Sequence, residues 1–282
     1  MREQASTAVI NGDNGMGHLV MKRAAEIAIE KARVTGIGWV NSQFSNHAGP
    51  ASLYASMPLK HDMIGLYFAV GNANHLPPWG GLDMLLSTNP IAAAIPARDE
   101  QPIILDMATT VAAYGKVKTK ALRGETMPVG WMIDRLGKPL TDPKRAEEGM
   151  LLPLGGMEAG YKGYGLAMII GLLAGTLGGA AMGKDVIDFN HDDESVTNTG
   201  QAIAAINIGA FIDVATFKAN VDTLVRDFRA SGRMPGVDRI SVPGERSHET
   251  RLARAGNGIP IAPALARGLD QVADELGIQR LG

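Results

Sequence analysis

One uninterrupted apolar segment limits what this chain can fold into more than any other feature. Residues 63–70 contain no charged side chain, and a short continuous apolar run indicates a strand that is covered on both faces. Such a strand needs another layer on each side. Because further apolar segments alternate with amphipathic ones along the chain, we predict an α/β fold with a layered mixed sheet and helices on both of its faces.

The same periodicity sets the order of the other elements. Strands are predicted at residues 7–11, 37–41, 91–95, 102–105 and 202–212. Helices are predicted at residues 18–33, 213–230 and 262–276. A further helix is expected to reach Leu122 from a cap at Thr109 or Thr110, and residues 240–246 indicate a strand and turn.

Residues 124–156 are rich in proline and glycine and contain a predicted hairpin at 131–139. Turn residues of this kind inside an otherwise regular pattern are typical of a surface loop. We therefore expect a surface excursion at about 124–156 from a single catalytic α/β unit over residues 1–282, not a linker between domains.

The composition excludes several function classes. The chain has 282 residues, with 27 basic and 29 acidic side chains, a formal net charge of -2 and 5% aromatic residues. Neither a charged surface nor a base-stacking surface for nucleic acid is expected from these values. The absence of cysteine excludes disulfides, thiol catalysis and thiolate metal sites. Residues 1–7 lack the apolar segment of a secretory signal, so we expect a cytoplasmic protein.

One segment is long enough to be tested against a membrane interpretation. Residues 163–183 carry no charge and are flanked by Lys162 and Lys184, and this length would suffice to span a bilayer. The segment contains many glycines, however, and the chain offers no second span. We expect a helix buried between layers of the core and no membrane partner. The membrane alternative predicts sedimentation with lipid.

Two motifs resemble ligand sites but are weak. Residues 12–17 form a glycine-rich turn between a predicted strand and helix, yet position 20 is Val20, so the G-x-G-x-x-G spacing of dinucleotide-binding turns is absent. A plain strand-to-helix turn is favoured there. His191-Asp-Asp-Glu194 could hold a divalent cation by composition, but adjacent polar residues in a loop more often stay solvated, and we expect no metal site.

His47 lies between two opposed structural patterns. The predicted strand at 37–41 precedes it, and Gly49-Pro50 opens a predicted helix through Ser52 to Met57. Ligands and catalytic side chains often lie at the end of a strand in α/β folds, and histidine transfers protons near neutral pH. His47 is therefore a candidate catalytic residue. The alternative is a loop histidine that only packs or caps.

Seven short motifs occur in an order that is typical of one enzyme family. They are Ser45-Asn-His-Ala-Gly49, Pro78-Trp-Gly-Gly81, Ser87-Thr-Asn-Pro90, Leu105-Asp-Met-Ala-Thr109, Leu154-Gly-Gly156, Tyr161-Lys-Gly-Tyr-Gly-Leu166 and Pro243-Gly-Glu-Arg246. With these motifs, residues 7–278 resemble the second malate/L-lactate dehydrogenase family, which includes ureidoglycolate, sulfolactate and diketogulonate reductases. The resemblance implies a sulfolactate-dehydrogenase-like fold that is unrelated to the Rossmann fold.

The resemblance also implies a reaction and a set of site residues. The reaction is reversible hydride transfer between NAD or NADP and a small 2-hydroxy or 2-oxo acid, with His47 as the acid/base and a homodimer as the assembly. The implied substrate-binding residues are Asn46 and Thr88. The implied cofactor-binding residues are Gly71, Asp106, Met107, Ala108, Lys162, Gly244, Glu245 and Arg246.

Two of these residues have other interpretations. Asp106 follows a predicted strand and precedes a predicted helix, so its carboxylate could grip a hydroxyl or an amide of a ligand, or cap a helix. Lys162 could bind a cofactor phosphate or ribose. It could equally form the solvated flank of an apolar helix, because lysine stems lie readily over apolar surface.

The chain departs from the family pattern in one respect. Family members usually begin with a helical segment that carries a Ser-His-Gly motif and an arginine for the substrate carboxylate. No Ser-His-Gly occurs in these 282 residues, since Ser247-His248 is followed by Glu249. The alternative to an active dehydrogenase is therefore a truncated, non-catalytic remnant that binds nucleotide or a partner chain.

Overall fold

The computed structural model describes residues 1–192 and 194–280. The chain forms two compact units, Met1–Pro243 and Gly244–Gly282, and the strands described lie in the first. These strands are β1 (Arg2–Glu3), β2 (Thr7–Gly15), β3 (Ile37–Ser45), β4 (Met63–Ala69), β5 (Ile91–Ile95), β6 (Ile103–Met107), β7 (Met132–Asp134), β8 (Pro139–Leu140), β9 (Gly149–Leu151) and β10 (Gly200–Asn207). Whether both units act as one catalytic unit over 1–282 stays a prediction.

The main sheet of the first unit has seven strands in the order β1-β2-β3-β10-β4-β5-β6. Only β2 and β3 pair in parallel among these strands, and every other neighbouring pair is antiparallel. The sheet is therefore mixed, as predicted. Strand β10 comes last along the chain but lies between β3 and β4, so the centre of the sheet joins segments that are far apart in sequence.

Helices cover both faces of this sheet, which confirms the predicted layers. The longer helices of the first unit are α1 (Gly17–Thr35), α2 (Ala51–Ala55), α3 (Tyr114–Arg123), α4 (Gly156–Ala174) and α5 (Val214–Ala230). Helices α1 and α2 pack on one face, where Tyr67 and Ile203 are buried. Helix α4 packs on the other face against Phe68 and Ala202. Successive residues of β4 and β10 thus point to opposite layers.

Small residues allow α1 to approach the sheet closely. The buried face of α1 contains Ala24, Ala25, Ala28 and Ala32, and none of their side chains is exposed. Opposite this face, a β-carbon added to Gly38 of β3 would lie 2.0 Å from the carbonyl oxygen of Ala28. The backbone of the helix therefore contacts the strand where no side chain fits between them.

Several boundaries differ from the predictions. Strand β2 continues to Gly15 through a register shift after Asn11, so residues 12–17 are not a simple turn. Helix α3 begins at Tyr114, and neither predicted threonine caps it. The Thr109 hydroxyl instead donates to the carbonyl oxygen of Thr88 at 3.0 Å, and the Thr110 hydroxyl donates to Ala112 at 2.8 Å.

Residues 124–156 contain more structure than the predicted hairpin. Strands β7 and β8 form that hairpin, and β9 joins it to give a three-stranded sheet in the order β8-β7-β9. Its own small core includes Met132, Leu140 and Leu151. The predicted strand at 240–246 is wrong: residues 240–242 form no strand, and the carbonyl of Pro243 accepts a hydrogen bond from the backbone N–H of Ile104 in the sheet.

The apolar segment predicted at 163–183 forms α4, which begins and ends earlier than predicted. Its buried face contains glycine and alanine together with Ile170. Its opposite face is open, with Ile169 50% and Leu172 41% exposed, so the expectation of a helix buried between layers of the core is wrong. None of the helices described is both long and apolar enough to cross a bilayer.

The second unit consists of two helices, α6 (Glu245–Asn257) and α7 (Pro263–Leu276). Helix α6 follows Gly244, whose φ of 94° is in the left-handed region. Helix α7 begins with proline in its first turn, where the missing N–H costs no hydrogen bond. It matches the closing helix predicted at 262–276.

The close contact between α1 and β3 gives a test of packing. We expect Gly38→Ala to lower the free energy of unfolding by about 1–3 kcal/mol, because the new methyl group must displace the α1 backbone. Gly165→Ala is the matched control, since this helical glycine has open space around it and alanine favours helix by up to about 1 kcal/mol. Urea denaturation measures both, and equal stability of the two variants would contradict the packing.

Candidate active site

His47 lies in a short loop between β3 and α2, at the point that the sequence predicted. Gln201 of β10 holds one side of this loop. Its Nε2 donates to the carbonyl oxygens of Ser45 and Asn46, both at 3.4 Å, and its Oε1 accepts from the Ser42 hydroxyl at 2.8 Å. Because Gln201 is 2% exposed, these bonds are shielded from water and fix the loop to the centre of the sheet.

Two further contacts hold the loop on either side of His47. The Asn46 amide donates to the carbonyl oxygen of Asn14 at 2.7 Å, which ties the loop to the end of β2. The buried Tyr54 hydroxyl donates to the carbonyl oxygen of Ala48 at 2.5 Å, which ties it to α2. His47 therefore has a partly exposed side chain on a firmly held backbone.

The imidazole of His47 has a defined hydrogen-bond state. The backbone N–H of Gly49 donates to its Nδ1 at 3.1 Å. A ring nitrogen that accepts a hydrogen bond carries no proton, so the neutral ring carries its proton on Nε2. Nε2 is consequently the atom that can donate to a ligand oxygen.

The surroundings of His47 favour the neutral ring. Loss of hydration, followed by the positive charge of the nearby His18, lowers the pKa of His47 below its ordinary value of 6.5. His18 lies close by because its ring packs against Gly49, where an added β-carbon would be 2.6 Å from Nε2 of His18. His47 is thus set to exchange a proton on the acidic side of neutrality.

His47 lines a cavity of about 300 Å³, a volume at the lower end of the range for small-molecule sites. The floor comes from the sheet, through Tyr67 and Ala69 of β4 and through Gln201. Other polar residues reach it from connecting segments and from helix α3. They are Asn72, His75, Ser87, Thr88, Tyr114, Lys118 and Asn190. The cavity thus combines an apolar wall with a few polar groups and the imidazole of His47.

Tyr67 and Gly71 help to shape the cavity that His47 lines. Burial raises the pKa of Tyr67, and Tyr54 and Asp106 raise it further, so the Tyr67 hydroxyl stays protonated and neutral. Gly71 approaches Ser87 so closely that an added β-carbon would lie 2.0 Å from the Ser87 hydroxyl oxygen. Position 71 therefore requires glycine for the wall to keep this shape.

The structure brings three of the predicted site residues together. His47, Gly71 and Thr88 line the same cavity, and their roles stay predictions. Asn46 does not line it, because its amide nitrogen is bonded to Asn14 and to the carbonyl oxygen of Gly15 at 3.3 Å. A substrate-binding role for Asn46 stays a prediction.

The predicted cofactor residues of β6 and α4 lie outside this cavity. Asp106 is exposed, and its Oδ2 accepts from the backbone N–H of Ser52 at 2.8 Å, so it caps the first turn of α2, as one of its two interpretations proposed. Met107 and Ala108 are half-buried beside it. Lys162 is exposed on the first turns of α4, with its Nζ 5.8 Å from the Tyr161 ring centroid.

Three predicted cofactor residues, Gly244, Glu245 and Arg246, open the second unit. Gly244 precedes the first turn of α6, and the other two lie within that turn. Their role stays a prediction. The candidate metal motif at 191–194 includes Asp193, which lies outside the described residues, and the rest of the described chain contains no cluster of three potential metal ligands.

Sequence reasoning missed most of the cavity wall, including Tyr67, His75, Tyr114, Lys118 and Gln201. Only the spacing of Tyr114 and Lys118 gave a usable indication, because residues four apart on a helix share one face. That face opens into the cavity. The other residues meet only through the pairing of distant strands.

A comparison with protein-family models matches residues 1–270 to malate/L-lactate dehydrogenase. The chain belongs to the malate/L-lactate dehydrogenase family. It is therefore an oxidoreductase of the 2-hydroxy-acid dehydrogenase class, and the resemblance inferred from the seven motifs is confirmed.

Curated members of this family cover nearly the whole chain. Malate dehydrogenase of Pyrococcus horikoshii is 37% identical over 100% of the chain and 78% of its own length. L-sulfolactate dehydrogenase of Methanothermobacter thermautotrophicus is 38% identical over 98% of the chain and 77% of its own length. Ureidoglycolate dehydrogenase (NAD(+)) of Escherichia coli O157:H7 is 31% identical over 90% of the chain and 71% of its own length.

Solved structures of family members have the same fold. Malate dehydrogenase from Entamoeba histolytica superposes with a TM-score of 0.93 at 28% identity, over 99% of this chain and 79% of that one. Sulfolactate dehydrogenase from Methanocaldococcus jannaschii superposes with a TM-score of 0.87 at 35% identity, over 99% of this chain and 78% of that one. The predicted sulfolactate-dehydrogenase-like fold is confirmed.

The position of His18 gives a test of the electrostatics in this dehydrogenase. We expect His18→Asn to raise the pKa of His47, because it removes a positive charge that disfavours the imidazolium. The pKa should stay below 6.5, since the loss of hydration remains. NMR titration of the His47 ring measures the shift. His61→Asn is the control, because His61 is bonded to Arg33 on the surface; an equal shift in both variants would contradict the account.

Proposed function

We propose that the chain interconverts a small 2-hydroxy acid and the corresponding 2-oxo acid with NAD or NADP, and that His47 carries the proton. One observation carries the proposal: a backbone-anchored imidazole with a lowered pKa lines a small cavity beside neutral hydrogen-bonding groups. The dehydrogenase names of the curated relatives support the reaction class, and one of them specifies NAD(+).

Two polar groups outside the cavity lining suit a nicotinamide coenzyme. Among the described residues, Oδ1 of Asp106 accepts no hydrogen bond, so it could bind a ribose hydroxyl. Lys162 has no carboxylate partner in the described chain and could bind a phosphate. When bound, the coenzyme supplies the nicotinamide carbon that accepts or donates hydride.

The hydrogen bonds of His47 determine how it moves a proton. Nε2 donates to the oxygen of a 2-oxo acid, and full proton transfer during reduction requires the imidazolium form. During oxidation, the neutral ring must accept the hydroxyl proton at Nε2. Nε2 can accept that proton only after the ring proton has moved to Nδ1, which breaks the bond from Gly49. The lowered pKa therefore favours oxidation at neutral pH and reduction at mildly acidic pH.

We also propose that the enzyme is a homodimer. The open face of α4 carries exposed apolar side chains, among them Ile169 and Leu172, and contiguous apolar surface of this kind supports association. A sedimentation mass near twice 29.7 kDa would support the dimer, whereas a mass of one chain would contradict it. A cytoplasmic location stays a prediction.

Replacement of the proton carrier tests the reaction. We expect His47→Ala to lower kcat by about 10²- to 10⁴-fold, because general acid/base catalysis typically contributes this much. Affinity for NADH or NADPH should change little, since His47 is not among the predicted coenzyme ligands. Steady-state kinetics with a panel of 2-oxo acids and a coenzyme fluorescence titration measure the two quantities.

His61→Ala is the control for this variant, because His61 lies beside Arg33 and away from the cavity lining. Unchanged turnover in His47→Ala would remove His47 from the mechanism. Quenching of coenzyme fluorescence by the unmodified protein, without loss of absorbance at the nicotinamide band, would support the non-catalytic alternative.

A further inference from the structure

The cavity that contains His47 has an unbalanced charge. Among the described residues that line it, Lys118 is the only one with a formal charge at neutral pH, and no carboxylate lines it. The other polar groups are hydroxyls, amides and the rings of His47 and His75, whose pKa values are both lowered by burial. An anion placed in this cavity would therefore meet one cation and no opposing charge.

Two neighbours orient Lys118. It lies one turn after Tyr114 on α3, and its Nζ is 5.4 Å from the centroid of the Tyr114 ring. The Nζ also donates to Oδ1 of Asn190 at 3.3 Å. The Tyr114 ring is itself stacked on His75 at a centroid distance of 4.1 Å. Lys118 thus has a preferred position at the cavity wall without being neutralised by an ion pair in the described chain.

A neighbouring cavity shows which side an anion would prefer. This second cavity, of about 490 Å³, shares Lys118, Tyr114, His75 and Asn190 with the first one, so these residues form the boundary. The second cavity also contains the carboxylates of Glu147 and Asp188. Those carboxylates repel an anion, whereas no carboxylate lines the cavity of His47 among the described residues. The positive charge of Lys118 is therefore available to an anion on the His47 side.

We propose that Lys118 binds the carboxylate of the 2-hydroxy or 2-oxo acid and thereby selects anionic substrates. The proposal rests on the proposed function, because it assigns the acid to the cavity of His47. The carboxylate and the reacting oxygen of such an acid are on adjacent carbons. A substrate held by Lys118 through its carboxylate can therefore present that oxygen to another group of the same small cavity, and His47 is the proton carrier there.

A pair of probes that differ in charge tests this role. Oxamate and oxamide have nearly the same shape, but oxamate carries a carboxylate where oxamide carries a neutral amide. In the presence of NADH, we expect the unmodified protein to bind oxamate more tightly than oxamide in calorimetric titrations. Lys118→Gln should weaken oxamate binding by about 10- to 100-fold, the usual range for one charge-assisted hydrogen bond, and leave oxamide binding unchanged.

Two variants control for structure and net charge. Lys116→Gln removes the same charge from an exposed position on the same helix that does not line the cavity, so it should keep the preference for oxamate. Lys118→Arg keeps a positive charge at position 118 and should therefore retain part of the preference for oxamate that Lys118→Gln loses. For an active enzyme, Lys118→Gln should raise KM for 2-oxo acids by a similar factor with kcat changed only a few-fold.

The outcomes separate this proposal from the proposed function. Equal binding of oxamate and oxamide by the unmodified protein, or a preference that persists in Lys118→Gln, would overturn the role of Lys118 whether or not the protein is active. Weaker binding of NADH alone in Lys118→Gln, with the oxamate preference intact, would assign the lysine to a coenzyme phosphate and also overturn it. Failure to turn over any 2-oxo acid, with the charge preference present, would instead contradict the proposed function.

Discussion

The position of β10 between β3 and β4 is the constraint on which the site depends. Strand β10 is paired at seven positions with each of these two neighbours. This pairing brings Gln201 within hydrogen-bond distance of the His47 loop, about 155 residues earlier in the chain. Without this insertion, the carbonyl oxygens of Ser45 and Asn46 would lose their buried donor. The loop that presents His47 would then keep its contacts with β2, α1 and α2.

The chemistry of the cavity follows from this arrangement. The sheet supplies a neutral floor, since Tyr67 stays protonated, and the connecting segments supply polar groups around it. His47 projects from a backbone that is fixed on both sides, whereas Lys118 reaches the same space from a helix outside the sheet. The proposed proton carrier and the cation thus come from separate elements, the loop after β3 and helix α3.

The layers of the fold could be predicted from the sequence because local patterns encode them. The apolar run at 63–70 formed the buried strand β4, and the strand-to-helix transition located His47 correctly. Most of the cavity wall could not be predicted in this way. Gln201 and Tyr67 become neighbours of the site only through strand pairing, which one sequence does not specify. The Thr109 hydroxyl bonds to the carbonyl oxygen of Thr88 and the Thr110 hydroxyl to that of Ala112, so the predicted cap failed and α3 begins later.

The most direct test of the central claim is a crystal structure of the protein with a reduced nicotinamide coenzyme and oxamate. The account predicts that oxamate occupies the cavity and that Nε2 of His47 lies within about 2.7–3.2 Å of its carbonyl oxygen, with Nδ1 still facing Gly49. An imidazole turned away from the bound acid, or an acid bound at another place on the chain, would contradict it.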